Sequence, residues 1–349
     1  MVRGNPEPLL RQSRRIPARG NSDSVSYVEY VCNVTGASSN KVFGPTADGT
    51  TRVDLAELIA MRGRAGKVGF ARVQPRTALA GGHVSALRGR GMDYAESRIY
   101  QAGDDVRNID WRRTARSGKW HTKLFEAERE QSLLLLIDTH ATMRFGTRVR
   151  YKSVATARAA AWLAWTCVRG GDRVGALAFG AMRDAVDPHA GTRGALNTLG
   201  ALARWDALAG ASGDTDEPLS SAIDRAQRLA ASGTRICLFS DGWCTDSSAA
   251  AALARVARHV DLRVVIVVDP IERELAPKGS YVFEAGADRR KVDLASARVR
   301  AQFRDDLARG WRMLAEACDA TGVARTTYTT RDEPDAVLPT FLRARGRRS

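Results

Sequence analysis

A chain of 349 residues with 44% hydrophobic content can bury one large core or two smaller ones, so a fibrous or wholly unfolded polypeptide is excluded and two domains are expected. No apolar run approaches the roughly 18 residues that span a bilayer, and the first residues carry Arg and Pro where a secretion signal would be apolar. A soluble, cytoplasmic protein without a transmembrane segment is the expectation. The net charge of +15 sits partly in the ends, at Arg3, Arg11, Arg14, Arg15 and Arg19 and at Arg343, Arg345, Arg347 and Arg348, a distribution that argues against specific nucleic-acid binding.

Residues 1–50 mix Pro, Gly, Ser and Asn and read as a flexible lead with one β-like patch at Tyr27 to Val31. Residues 51–130 form a smaller unit. Val53 to Met61 predicts a short helix with Asp54 as N-cap, broken by Gly63, Gly66 and Gly69. From Gly81 to Glu130 acidic and basic residues nearly balance, so the segment can satisfy itself with internal ion pairs.

From Ser132 strands and helices alternate. Strand Leu133 to Ile137 is followed by a helix over Val154 to Val168 and a strand over Arg173 to Phe179. Helices around Ala195 to Leu208 and Leu219 to Ala230 precede strand Arg235 to Ser240. Ala249 to Val260 reads as helix and Leu262 to Val268 as a β-branched strand. Phe303, Leu307, Trp311, Leu314 and Cys318 trace one face of a late helix, and Val323 to Tyr328 offers a last strand. The fold class is α/β: a doubly wound, mostly parallel sheet over residues 131–330 with helices on both faces, preceded by the smaller charged domain. Residues 331–349 read as a basic C-terminal tail.

Two strands run into carboxylates. Leu133 to Ile137 ends on Asp138-Thr139-His140-Ala141-Thr142, and Ile236 to Ser240 ends on Asp241-Gly242. Meeting above one sheet, they would make a small hard-cation site suited to Mg²⁺ or Mn²⁺. Alternatively Asp138 caps the following turn, His140 lies incidentally on the surface, and Asp241-Gly242 is a plain turn pair. The five cysteines, Cys32, Cys167, Cys237, Cys244 and Cys318, lack C-x-x-C spacing and read as reduced core or incidental thiols, neither a disulfide framework nor a zinc site. No phosphate-binding P-loop and no G-x-S-x-G elbow is present, so neither ATP hydrolysis nor serine hydrolase chemistry is expected.

The segment after Ser132 resembles a von Willebrand factor A domain. Its metal-ion-dependent adhesion site has D-x-S-x-S on the first strand, a middle-loop Thr and an Asp ending a later strand. Asp138 matches the first Asp, Thr142 the second hydroxyl and Asp241 the last Asp. His140 stands where the first Ser belongs, and imidazole is a poor Mg²⁺ ligand but an adequate Mn²⁺ or Zn²⁺ ligand. For the middle loop, Thr215 fits by its preceding glycine and Glu217 by distance from the next helix; Thr215 is preferred.

Arg88-Gly89-Arg90-Gly91-Met92-Asp93-Tyr94, then Arg98 to Trp111 and Ala115-Arg116-Ser117-Gly118, resembles the signature of the domain-of-unknown-function family numbered 58. Within it Arg88, Gly91, Tyr100, Gly103, Asp104, Asp105, Arg107, Asp110, Trp111 and Arg116 are the candidate signature residues. Gly103-Asp104-Asp105 places like charges at one turn, which Arg98, Arg107 or Arg116 must compensate. Either a buried Arg and Asp lattice with Trp111 as its apolar plug, or a surface that docks another protein, satisfies that demand. The resemblance implies partnership with a MoxR-type AAA+ ATPase acting on an unidentified client protein. The expected role is a metal-dependent protein-protein interaction module rather than an enzyme; a metal-dependent hydrolase using Asp138, His140 and Asp241, or a metal-independent scaffold, are the alternatives.

Overall fold

Strand β4 (Ser132–Asp138) is buried at every position after the first because it has a parallel neighbour on each edge and helices over each face. The computed structural model describes residues 33–36, 49–66, 92–101, 104, 106–127, 131–209, 217–231, 233–274, 276–285 and 288–343. Strand β5 (Arg173–Phe179) and strand β7 (Thr234–Ser240) flank β4, and β8 (Asp261–Val268) and β11 (Ala324–Thr329) extend the sheet beyond β7. On the other edge β6 (Ala185–Ala190) pairs antiparallel with β5, giving the order β11-β8-β7-β4-β5-β6. Pro188 sits on that edge strand, where a missing N–H is tolerated. The doubly wound, mostly parallel sheet is as the sequence predicts; β6, whose residues are largely exposed, left no periodic signal.

Side chains alternate along β4, so Leu133, Leu135 and Ile137 enter one core while Leu134 and Leu136 enter another. Helix α3 (Lys152–Arg169) and helix α4 (Gly191–Ala209) cover the first face. The second is covered by α5 (Leu219–Leu229), α6 (Ala249–Ala257) and α8 (Arg309–Thr321). Helix α1 (Leu55–Ala60), capped by Asp54, docks on the first face: Trp165 Nε1 donates to the Leu58 carbonyl at 3.0 Å and Trp162 Nε1 to that of Arg64 at 3.3 Å.

Two small antiparallel sheets stand apart from the large one in hydrogen bonding. Strands β2 (Met92–Ile99) and β3 (His121–Ala127) pair with each other and are joined through α2 (Trp111–Ser117). Strand β9 (Ser280–Ala285) lies between β1 (Asn33–Gly36) and β10 (Asp288–Asp293).

The single late helix of the sequence reading is two, α7 (Ala297–Leu307) and α8, separated at Ala308. Gly310, in the first turn of α8, makes room for the Trp243 indole, which packs where its Cβ would be. Within the expected basic tail the chain forms a helix, α9 (Pro334–Arg343), that buries Leu338, Phe341 and Leu342 in the first core. Three apolar residues at helical spacing outweigh the basic composition around them. The β-like patch at Tyr27 to Val31 lies outside the described residues.

Candidate functional site

Chain progression leaves β4 for β5 on one side and later returns to β7 on the other, so a switch point falls between β4 and β7. Crevices open at the carboxyl ends of strands at such points. Asp138 is the last residue of β4, and Asp241 directly follows β7.

The Asp138 carboxylate is buried and fully engaged. Its Oδ1 accepts the His140 backbone N–H at 2.9 Å and lies 2.8 Å from His140 Nδ1; its Oδ2 accepts the Ser240 hydroxyl at 2.6 Å and the Cys244 thiol at 3.5 Å. Burial by itself would raise this carboxyl, but the imidazole and the hydrogen bonds from Ser240 and the His140 backbone overcome it and hold it below the usual carboxylate value. Ser240 Oγ also accepts the Gly242 N–H at 3.0 Å, linking the ends of the two strands. Gly180, at φ +93°, gives the His140 ring its room, since a Cβ there would fall 2.6 Å from Nδ1.

One carboxylate oxygen, one imidazole nitrogen and one thiol sulfur, from Asp138, His140 and Cys244, lie within 4.8 Å of one another. This mixed set suits a borderline ion such as Zn²⁺ better than a hard one. The Cys244 thiol is pushed well above its ordinary value, first by burial and then by the Asp138 charge. A bound cation would favour its thiolate. Thr142 Oγ1 is buried without a hydrogen-bond partner among the described residues.

Asp241 is turned elsewhere. Its Oδ2 receives the Lys152 ammonium at 2.7 Å and its Oδ1 the Trp243 N–H at 3.1 Å. Lys152 is only 1% exposed and also donates to Glu272 Oε1 at 2.9 Å. Burial would drive the ammonium toward neutrality, yet Asp241 and Glu272 reverse the shift and raise it. Glu272 moves up to about 7, by burial first and by Asp241 second, against the pull of Lys152. The two directions are compatible: one ammonium balances one carboxylate, and the second buried carboxyl is left with weak support for its charge. Asp138 and Asp241 therefore each have cationic or polar partners of their own, and Asp241 is not part of the Asp138, His140 and Cys244 group.

Glu217 pairs with Arg225 at 3.2 Å, and Thr215 lies outside the described residues. Of the signature, Arg88, Gly91, Gly103 and Asp105 also lie outside them. Arg98 binds Asp104 at 2.6 Å, and Asp104 accepts the Gln101 N–H at 2.9 Å. Asp110 caps α2, and the Ser97 hydroxyl at 2.7 Å is the main cause of its lowered carboxyl value. Tyr100 and Trp111 each lie near Trp120, while Arg107 and Arg116 are exposed. The expectation of Trp111 as a buried plug is overturned, since the side chain is 65% exposed. It occupies the first turn of α2 and faces outward from a unit too small to enclose an indole.

The sequence reading missed Lys152, Glu272, Ser240 and Cys244. Asp269-Pro270-Ile271-Glu272 is a capping-box pattern after β8, and in the structure Asp269 and Glu272 complete that box. A lysine opening an alanine-rich, otherwise buried helix was a second signal. Cys244 had none, because its ligand partners lie on another strand.

The fold is von Willebrand factor A-like, with an acidic strand end at its switch point and a small sheet preceding it. Residues 96–312 match the family described as "Protein of unknown function DUF58", and the chain belongs to that family. Uncharacterized proteins of Mycobacterium tuberculosis and Mycobacterium bovis are 33% identical over 250 residues, covering 71% of this chain and 75% of theirs. Among solved structures, BatB from Bacteroides thetaiotaomicron aligns with a TM-score of 0.38 at 12% identity, covering 61% of this chain and 97% of that one. An aerotolerance-related membrane protein from Bacteroides fragilis aligns at 0.34 and 12%, covering 60% and 96%. In the present chain no described helix is long and apolar enough to cross a membrane.

Proposed function

We propose that this chain is a protein-interaction module that presents the carboxyl edge of its large sheet, around Asp138, His140 and the turn after β7, to another protein. The observation that carries the reading is the convergence of Asp138, His140 and Cys244 at the switch point. In this reading Asp138, His140 and Cys244 would hold a divalent ion of the zinc class, which would supply a positive centre for an acidic side chain of the partner. Ser240 orients the Asp138 carboxylate, and Gly180 gives the imidazole room to turn. Asp241, held by Lys152, shapes the rim.

A MoxR-type AAA+ ATPase is the partner class to test first, with a client protein as the object of their joint action. Hydrolytic turnover receives less support, because burial and the Asp138 charge push the Cys244 thiol up and disfavour a thiolate nucleophile.

Calorimetric titration of the metal-free protein with Zn²⁺, Mn²⁺ and Mg²⁺, alongside Asp138→Ala and Cys244→Ser, tests the site. Stoichiometric Zn²⁺ binding lost in both variants is expected, together with chelator-sensitive binding of a purified MoxR-type ATPase. ATPase binding that persists unchanged in chelator would establish a metal-independent scaffold instead.

A further inference from the structure

The unit formed by β2, α2 and β3 carries a group of aromatic side chains that its own fold does not bury. Trp111 is 65% exposed and Trp120 55% exposed, and their ring centroids lie 6.1 Å apart at an interplanar angle of 57°. The Tyr100 ring centroid is 6.2 Å from that of Trp120. The Tyr100 backbone N–H donates to the Trp120 carbonyl at 2.8 Å, so the strand pairing fixes where the two rings meet. Ile99, next to Tyr100, is 58% exposed. Soluble surfaces carry isolated apolar side chains freely, but a contiguous aromatic group of this kind marks a contact surface.

Charge specifies what the contact is with. Arg112, Arg113 and Arg116 share α2 with Trp111, and Lys119 adjoins Trp120; all four are exposed and have no carboxylate partner among the described residues. Among the described side chains of the unit the acidic ones are already used, Asp104 by Arg98 and Asp110 by Ser97 and the α2 backbone. A cationic rim around an apolar centre complements an acidic partner with an apolar anchor. A second copy of this chain, with a net charge of +15, is a poor occupant. Single-stranded nucleic acid fits less well, because the rings are tilted at 53° and 57° rather than set as successive parallel stacking faces, and exposed Ile99 offers nothing to a base.

We propose that the Tyr100–Trp111–Trp120 surface is a second docking site, distinct from the carboxyl edge, for an acidic segment of a partner protein that packs one apolar side chain against the exposed indoles. Arg112, Arg113, Arg116 and Lys119 engage the carboxylates of that segment, and the exposed faces of Trp111 and Trp120 receive the anchor.

The test uses the full chain and four labelled probes: a Glu- and Asp-rich peptide with one central leucine, the same peptide with serine in place of leucine, a lysine-rich counterpart and oligothymidylate. Fluorescence anisotropy is expected to give saturable binding of the leucine peptide, weakened about tenfold or more by the serine change, by Trp120→Ala or by Trp111→Ala. The pair Arg112→Glu and Arg116→Glu should weaken binding and flatten its salt dependence. Since both indoles are largely exposed, thermal unfolding of the variants should match that of the parent. Failure to saturate, affinity indifferent to Trp120 and leucine, or a preference for oligothymidylate that Trp120→Ala abolishes would each overturn the proposal.

Discussion

Lys152 is the side chain on which the acidic edge depends most. Removing it by Lys152→Ala leaves Asp241 and Glu272 buried without a cation, an uncompensated state that costs ~3–5 kcal/mol, and urea unfolding should show a loss of that size. Adding Asp241→Asn and Glu272→Gln to Lys152→Ala should recover most of it; failure to recover would mean that packing, not charge, sets the cost. Glu272 also gives the protein a pH dependence. Its carboxyl rises from an ordinary 4.5 to about 7 in the folded state, so the folded protein holds this proton more tightly than the unfolded chain. The associated stabilisation is complete below about 4.5, is lost as pH rises through about 7, and is absent above it. Asp138 acts in the opposite sense and only in acid, because its lowered value withdraws stability as pH falls below the usual carboxylate range. Denaturant midpoints measured from pH 5 to 8 should therefore decline in the parent and flatten in Glu272→Gln. An equal slope in both would show that Glu272 is not the titrating group.

Much of the architecture was legible in the elements because their apolar runs are long and unambiguous: β5 has the predicted limits, and β4, β7 and α3 differ only at their ends. Asp138 was legible for the same reason, as a charge that ends an apolar strand. Partners such as Lys152 and Cys244 were not, since local periodicity says nothing about which elements meet at a switch point. The α7–α8 break was hidden too, because Phe303, Leu307, Trp311, Leu314 and Cys318 keep helical spacing across it, and the indole that requires Gly310 comes from another segment. Gly242 marks the same junction from the opposite side. It has φ +84°, and a Cβ there would run into the Gly310 carbonyl and the Leu314 side chain. Gly322, at φ +67° after α8, has a comparable backbone but open space around it. Gly322→Ala should cost only the left-handed strain, ~1–2 kcal/mol, whereas Gly242→Ala should cost clearly more and loosen α8 from β7. Chemical denaturation distinguishes them, and equal losses would refute the close approach.

At the scale of the whole molecule, one sheet separates two cores, which raises the question of whether they unfold together. Leu135 and Leu136 are neighbours in sequence, but Leu135 packs with α3 and α4 while Leu136 packs with α5, α6 and α8. Strand β4 is hydrogen-bonded on both edges, so neither core can dissolve without exposing the backbone that the other rests on. Leu136→Ala should cost ~2–5 kcal/mol, the range for emptying a well-packed leucine site. With Trp243, which packs on α8, and Trp311, which packs against the second core, replaced by Phe, fluorescence follows the distant core, because the fully buried indoles Trp162, Trp165 and Trp205 all belong to the first core. If the domain is a single cooperative unit, Leu136→Ala will shift the emission transition of those indoles and the far-ultraviolet circular dichroism transition to the same lower denaturant concentration. If the dichroism shifts and the emission does not, the second face unfolds by itself, and the carboxyl edge between β4 and β7 then joins two units of different stability.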